Sequence, residues 1–212
     1  MSQRLIYIMD PMCSWCWGFA PVVDAIQAAY PELRIDLVAG GLRPGVTDPM
    51  QDSARQALAE HWQAVREASG QPLLDPGALS AGFIYNTEPA CRALVVAREL
   101  DADRVWSLVK GVQGAFYGQL LDVTQCSVLA DLAEQAGYSR SSFSQAFVAE
   151  AALAAVQADF SWVAGLGIRG FPTLLAERDG MLALLSNGYQ PAEGILALLQ
   201  RWSEAGKGIV AE

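Results

Sequence analysis

The chain has 212 residues, of which 52% are hydrophobic and 17% charged, a composition that predicts a folded protein with a large apolar core. Its formal net charge of -9 argues against the clustered basic surface of a nucleic-acid-binding protein. No apolar run is long enough to span a bilayer, and the short run at residues 5–9 lacks the features of a signal peptide. We therefore expect a cytoplasmic protein with no nucleic-acid or membrane partner.

The N-terminal part follows a strand–helix–strand pattern. The continuous apolar run at residues 5–9 predicts a strand that is buried on both faces. A helical stripe of apolar residues follows within residues 17–30, and a second strand is predicted at residues 34–39. Two strands joined by a helix favour a parallel pair with a right-handed crossover.

A block of helices separates this part from a second group of strands. Helical periodicity extends almost without interruption over residues 52–165. Strand patterns return at residues 172–177 and 181–187, on either side of a hairpin turn, and a last helix is predicted to begin at Pro191.

This order of elements predicts an α/β fold in which one sheet is interrupted by helices. A helical block between two halves of a sheet is typical of an insertion and not of a tandem domain. We place the all-helical inserted domain at residues 49–156. The discontinuous α/β domain then comprises residues 1–48 and 157–212.

Four cysteines limit the chemistry of the chain. In a reducing compartment, the Cys-x-x-Cys spacing of Cys13 and Cys16 indicates redox catalysis or a metal site. A zinc site would need about four ligands with a second paired motif. Cys91, Cys126 and His61 do not have that spacing. We therefore predict no metal and a redox role for Cys13 and Cys16.

The two motif cysteines are placed at the predicted start of a helix. The first helical turn presents unpaired N–H groups and the positive end of the dipole, which favour a thiolate at Cys13. Cys16 lies about one helical turn further along, within reach of a mixed disulfide on Cys13. The order predicts that Cys13 attacks and Cys16 resolves.

Four other residues have simpler interpretations. His61 lies on the apolar stripe of its helix, which predicts a partly buried, hydrogen-bonded histidine. Cys91 is interpreted as a small buried hydrophobic residue and Cys126 as a packed thiol. Asp10 precedes a proline and is interpreted as part of a turn that leads into the motif.

Residues 10–19 (DPMCSWCWGF) and 170–173 (GFPT) carry a resemblance to a known family. They resemble the DsbA-like family of the thioredoxin superfamily, in the branch of FrnE-like proteins and hydroxychromene-carboxylate isomerases that carries an inserted helical domain. The resemblance covers essentially the whole chain. It implies a thioredoxin fold, βαβ…ββα, interrupted by the helical insertion.

The resemblance also implies which residues surround the substrate. It implies a cis peptide bond between Phe171 and Pro172 that faces the cysteines and leaves backbone polar groups free to pair with an extended substrate. Four residues are expected to contact the substrate: Ser14, Trp15, Phe171 and Pro172. Many relatives carry a buried carboxylate six residues before the first cysteine, but Tyr7 occupies that position here, so this role has no obvious occupant.

The predicted function is thiol–disulfide exchange with protein or small-molecule disulfides. It needs no cofactor beyond the dithiol, and glutathione is a candidate co-substrate. One alternative is a glutathione-dependent isomerase or transferase, similar to kappa-class and hydroxychromene-carboxylate isomerase relatives, which usually carry Ser in place of the first cysteine. Another is a non-catalytic binding or chaperone module with an apolar groove. The direction of electron flow and the oligomeric state are left open.

Overall fold

The computed structural model describes residues 3–207, in which a four-stranded sheet lies at the centre. Its strands are β1 (Gln3–Met9), β2 (Arg34–Ala39), β3 (Thr173–Arg178) and β4 (Met181–Asn187). They lie in the order β2-β1-β3-β4. The β1–β2 pair is parallel, and the β1–β3 and β3–β4 pairs are antiparallel.

The described part of the chain forms eight α-helices. They are α1 (Ser14–Ala29), α2 (Asp52–Ser69), α3 (Glu88–Leu100), α4 (Val105–Gln119), α5 (Cys126–Gln135), α6 (Arg140–Val148), α7 (Glu150–Gly165) and α8 (Ala192–Lys207). β1, α1 and β2 form one half of a thioredoxin fold, and β3, β4 and α8 form the other. The six remaining helices lie between the halves in sequence, so the predicted fold class is confirmed.

Strand β1 is buried on both faces, as its apolar run predicts. Its odd-numbered residues from position 5 to 9 belong to the main core, which also includes residues of α1 and α8. Ile6 and Ile8 point to the other face and pack with Val163 of α7 and Leu175 of β3. Complete burial of one such side chain contributes about 1.5–3 kcal/mol. β1 is therefore a rigid support for the loop that follows it.

The helical block shares its core with the thioredoxin half. The Trp62 ring lies 5.6 Å from that of Phe116 and 4.9 Å from that of Tyr117. Trp17 of α1 stacks on Tyr117 at 6.1 Å. Helix α7 runs across position 156, so the division into domains at 156/157 stays a prediction. The outermost residues of the predicted α/β domain, 1–2 and 208–212, lie outside the described residues.

A charged pair joins the edge strand β2 to two helices. The Arg98 guanidinium of α3 donates to Asp159 of α7 at 2.8 and 3.0 Å and to the Leu37 carbonyl at 2.7 Å. Asp159 also accepts from the Ala39 backbone N–H at 2.8 Å. These contacts satisfy backbone groups on the open edge of β2, which would otherwise be free to pair with another chain.

No single helix between residues 3 and 207 is long and apolar enough to cross a membrane. The pair α6 and α7 reaches the required length and composition only together, and the two helices are bent by 71° at their break. Phe143 and Phe147 of α6 and Val156 of α7 are buried in the main core.

Candidate active site

Cys13 occupies the N-cap position of α1. Its backbone N–H donates to the Asp10 carbonyl at 2.9 Å, which closes the turn after β1. Its own carbonyl accepts from the N–H groups of Cys16 at 2.9 Å and Trp17 at 3.1 Å. The Cys13 side chain therefore lies at the positive end of the helix, beside its unpaired N–H groups.

The two sulfurs have different environments, although both cysteines are free thiols. Cys13 is 5% exposed and borders a cleft, whereas Cys16 is completely buried. Burial raises the pKa of Cys16 well above its usual value, and the adjacent Cys13 raises it further through a hydrogen bond and its charge. Cys16 is thus held as a protonated thiol behind Cys13.

The loop before β3 lies against Cys13. The Phe171–Pro172 peptide bond is cis, as the resemblance implies. The Phe171 carbonyl oxygen lies 3.6 Å from the Cys13 sulfur, within reach of an S–H donor. The Phe171 ring packs on Gly40 so closely that a Cβ atom there would lie 2.2 Å from the ring. Glycine at the end of β2 thereby lets the ring reach its position.

A cleft of about 550 Å³ opens beside Cys13. One wall is a single face of α2, where Ala54, Ala57, Leu58 and His61 follow the i, i+3, i+4, i+7 spacing of a helix. Phe171, from the loop before β3, also lines the cleft. The other lining residues are Ser14, Trp15, Leu42, Arg43, Met50, Tyr85 and Gly170. The cleft therefore lies between the thioredoxin half and the helical block, and its wall is mostly apolar.

Three of the four residues predicted to contact the substrate line this cleft. They are Ser14, Trp15 and Phe171. Trp15 is half-buried and its ring lies 5.6 Å from that of Tyr189. Pro172 does not line the cleft. It is buried and follows Phe171 directly before β3.

The interpretation of His61 as a partly buried histidine is wrong. Its side chain is exposed, lines the cleft, and meets the Trp15 ring edge-on at 5.8 Å. Partial desolvation lowers the pKa of His61 below its usual value, so the ring is neutral at pH 7. Trp62 and Val65 occupy the buried side of the same stripe, which leaves His61 at the border between core and cleft.

Asp10 lies in the turn that leads into the motif, as predicted, and its side chain has a further role that the sequence did not indicate. Its carboxylate is completely buried. It accepts from the backbone N–H of Met12 at 2.8 Å, the N–H of Leu42 at 2.7 Å and the thiol of Cys91 at 3.3 Å. Burial raises the pKa of Asp10, and hydrogen bonds from these groups and from Thr87 oppose that rise. Sequence spacing gave no sign of this site because its donors come from three separate segments.

Two buried, uncharged tyrosine side chains contact the backbone at the Cys13–Cys16 motif. The Tyr7 hydroxyl lies 3.5 Å from the Cys16 carbonyl oxygen, and the Tyr85 hydroxyl donates to the Met12 carbonyl. Burial raises the pKa of both tyrosines above the usual value. Tyr7 thus fills the position of the carboxylate found in many relatives without supplying a charge.

Cys91 and Cys126 have the positions expected of packed thiols. Cys91 is completely buried, and burial raises its pKa well above the usual value. Cys126 is the half-buried first residue of α5 and packs against the main core.

Two solved structures closely match this fold. A protein from Nitrosomonas europaea, described as a candidate protein disulfide isomerase, is 37% identical with a TM-score of 0.91, over 97% of this chain and 99% of the other. The cytosolic disulfide reductase DsbM from Pseudomonas aeruginosa is 26% identical with a TM-score of 0.78, over 94% and 98% of the two chains. A second DsbM structure, determined with glutathione, has a TM-score of 0.76.

Sequence comparison finds a more distant relative and a family. The ClpXP adapter protein SpxH from Bacillus licheniformis is 23% identical over 204 residues, which are 92% of this chain. The chain spans 66% of the length of that curated relative. The family model described as DSBA-like thioredoxin domain matches residues 4–200. The chain therefore belongs to the DsbA-like family of thioredoxin-fold proteins.

Proposed function

We propose that the protein is a thiol–disulfide oxidoreductase that acts on disulfides of proteins or small thiols through Cys13 and Cys16. The observation that carries the proposal is the asymmetry of the pair. Cys13 borders a cleft at a helix N-terminus, and Cys16 is buried one turn further along with a raised pKa. An accessible attacking thiolate and a shielded resolving thiol are what two-cysteine exchange requires.

The reaction in the reducing direction has two steps. The Cys13 thiolate attacks one sulfur of a substrate disulfide, which forms a mixed disulfide and releases the first substrate thiolate. The first substrate thiolate takes up the proton of Cys16, and the Cys16 thiolate attacks the Cys13 sulfur, which releases the second substrate thiolate and leaves a Cys13–Cys16 disulfide. Two electrons pass to the substrate, and two equivalents of a small thiol restore the dithiol.

The cleft is the proposed binding surface for the substrate. Ser14, Trp15 and Phe171 surround the attacking sulfur, and the apolar face of α2 offers contacts to side chains on either side of a disulfide. Pro172 is buried and joined to Phe171 by the cis peptide bond, so we expect it to fix the position of the Phe171 backbone at this surface. The glutathione complex of DsbM supports glutathione as a co-substrate, and its cytosolic description supports a cytoplasmic location. The glutathione-dependent isomerase is the weaker alternative, because Cys13 stands where those relatives usually have Ser.

A steady-state assay with three single variants tests the proposal. Reduction of insulin by glutathione should fall to the uncatalysed rate in Cys13→Ala and should slow, with accumulated mixed disulfide, in Cys16→Ala, where only glutathione can release the substrate. Cys126→Ala is the matched control, because that thiol lies at the start of another helix and outside the cleft. A Cys13→Ala variant that reduces insulin at a rate close to that of the unmodified protein would rule the mechanism out.

A further inference from the structure

Asp10 has the hydrogen-bond partners of a permanent anion. Its two carboxylate oxygens accept from two backbone N–H groups, those of Met12 and Leu42, and from the Cys91 thiol. A protonated carboxyl would turn an O–H group toward these donors and lose one of the bonds. The donor set therefore favours the charged form, even though the side chain is completely buried.

Thr87 completes this set of donors. Its hydroxyl oxygen accepts from the Arg43 backbone N–H at 3.0 Å, which leaves the hydroxyl proton free to point elsewhere. A hydrogen bond from Thr87 is among the interactions that lower the pKa of Asp10. The carboxylate is thus bound by the active-site turn, the loop after β2 and the start of α3.

The anion lies within electrostatic range of the dithiol. Asp10 is three residues before Cys13, and its carbonyl accepts the Cys13 N–H at 2.9 Å. Burial is the main cause of the raised pKa values of Cys16, Cys91, Tyr85 and Tyr117, and the Asp10 charge raises them further. A hydrogen bond from the Asp10 backbone opposes the rise at Cys16. These four neighbours are uncharged at neutral pH. Two charged side chains act on the same neighbours: the Arg43 guanidinium lies 5.3 Å from the centre of the Tyr85 ring and lowers the Tyr85 pKa, and Glu88 raises the Cys91 pKa. Low-dielectric surroundings strengthen the interaction between charges.

We propose that the buried Asp10 carboxylate raises the free energy of the reduced Cys13–Cys16 pair and thereby makes the pair a stronger reductant. The inference rests on the proposed function and adds a residue that tunes its redox equilibrium. Disulfide exchange requires the reduced pair to ionise, whereas the disulfide is neutral, so a nearby fixed anion raises the free energy of the reduced form alone. A couple whose reduced form is destabilised gives its electrons away more readily.

Asp10 is a positioning residue in this account, since it contacts neither substrate nor the reacting sulfurs in the described structure. Its effect is exerted on the reaction already given: two electrons leave the thiols, a substrate disulfide becomes two thiols, and Cys13 and Cys16 become linked. The Asp10 charge shifts that equilibrium toward the linked form. It takes no proton and forms no bond in either step.

Equilibrium with glutathione buffers at pH 7 tests the proposal, with the fraction of linked Cys13–Cys16 read by mass spectrometry. Asp10→Asn removes the charge and should shift the equilibrium toward the dithiol by about tenfold or more, which is about 30 mV for a two-electron couple. Asp10→Glu retains the charge and should lie closer to the unmodified protein than Asp10→Asn does. Cys91→Ala removes one donor, keeps the charge, and should shift the equilibrium much less than Asp10→Asn.

The outcomes separate this inference from the proposed function. An unmodified protein that never forms the Cys13–Cys16 disulfide would overturn both. An unmodified protein that does, with an Asp10→Asn variant that matches it or shifts toward the disulfide, would overturn the inference alone.

A measurement on the unmodified protein covers the case in which Asp10→Asn does not fold. Coupling between two sites is reciprocal, so a thiolate that is disfavoured by Asp10 must also favour the protonated Asp10 carboxyl. Carboxyl-carbon NMR should therefore show a higher titration midpoint for Asp10 in the reduced protein than in the oxidised protein. Equal midpoints in the two states would contradict the proposal.

Discussion

Gly40 determines how closely the Phe171 ring approaches the end of β2. A Cβ atom at Gly40 would meet three ring atoms at 2.2, 2.4 and 2.7 Å, so Gly40→Ala must displace the ring. Because the Phe171 carbonyl lies 3.6 Å from the Cys13 sulfur, the displacement should also slow disulfide exchange. We expect a loss of about 1–3 kcal/mol in the free energy of unfolding, measured with urea.

Gly114→Ala is the matched control for this substitution. Gly114 lies inside α4, and a Cβ atom there would have no neighbour within 4 Å. Alanine at such a helical position should add up to about 1 kcal/mol of stability and leave exchange unchanged. If Gly40→Ala lowers neither the free energy of unfolding nor the rate of disulfide exchange, the contact between Gly40 and Phe171 does not position the ring.

Residue types and spacing were enough to place the two cysteines but not their neighbours. Cys13 and Cys16 are recognised because a helix start and a three-residue separation are local features. The burial of Asp10 depends on Leu42 and Cys91, which the fold brings from distant positions. One edge of the apolar stripe on α2, with Trp62 and Val65, faces the core, and the other edge, with His61, faces the cleft. The helical periodicity of the sequence does not distinguish these two surroundings.

At the scale of elements, the Arg98–Asp159 pair joins β2, α3 and α7. The pair is mostly buried, with side-chain exposures of 27% and 13%. Asp159→Ala would leave the guanidinium and the Ala39 N–H without their acceptor, so we expect a loss of roughly 1.5–3 kcal/mol in unfolding free energy. Chemical denaturation followed by circular dichroism measures this loss.

The pair between Lys110 and Asp24 provides the comparison. Its side chains are 43% and 47% exposed and lie 3.0 Å apart. Lys110→Ala should cost about 0–1 kcal/mol, because water and salt screen an exposed pair. Equal losses for Asp159→Ala and Lys110→Ala would mean that Arg98–Asp159 does not hold the helices to the sheet.

Most elements follow from periodicity and from turn residues. The predicted strands at 34–39 and 181–187 coincide with β2 and β4. The strand predicted at 172–177 begins one residue later, since Pro172 has no N–H to donate to a neighbouring strand. The turns between the helices are harder to place, because the periodic pattern continues across short connections such as the one between α6 and α7.

At the scale of the whole molecule, the cleft exists because α2 of the helical block faces the motif. Ala57 lines the cleft on that helix. Ala57→Trp should therefore obstruct the approach to Cys13 and slow insulin reduction by about tenfold or more, which corresponds to about 1.4 kcal/mol in the barrier. The measurement is the rate of insulin reduction at a fixed glutathione concentration.

Ala64→Trp places the same side chain about two helical turns further along α2, beyond the residues that line the cleft. Ala64 is exposed and is not among the residues that line the cleft. We expect this variant to reduce insulin at the rate of the unmodified protein. Similar rates for the Ala57 and Ala64 variants would contradict the assignment of the cleft as the route to the sulfur.

The overall architecture was predictable because the strand patterns lie near the two ends of the chain, on either side of a block of helices. The boundaries of the insertion were less so, since helix α7 packs on the sheet through Val163 and is continuous with the helical block. Whether residues 49–156 form a unit of their own remains a prediction. The shared core of the two parts gives no local signal in the sequence, because contacts such as Trp17 on Tyr117 join residues far apart along the chain.

The most direct test of the proposed chemistry is to trap its intermediate. A Cys16→Ala protein incubated with oxidised insulin cannot complete the second step, so an insulin chain should remain attached through a disulfide. Peptide mapping without reduction should find that bond at Cys13. Attachment at Cys91 or Cys126, or no adduct with a protein whose unmodified form reduces insulin, would contradict the assignment of Cys13 as the attacking thiol.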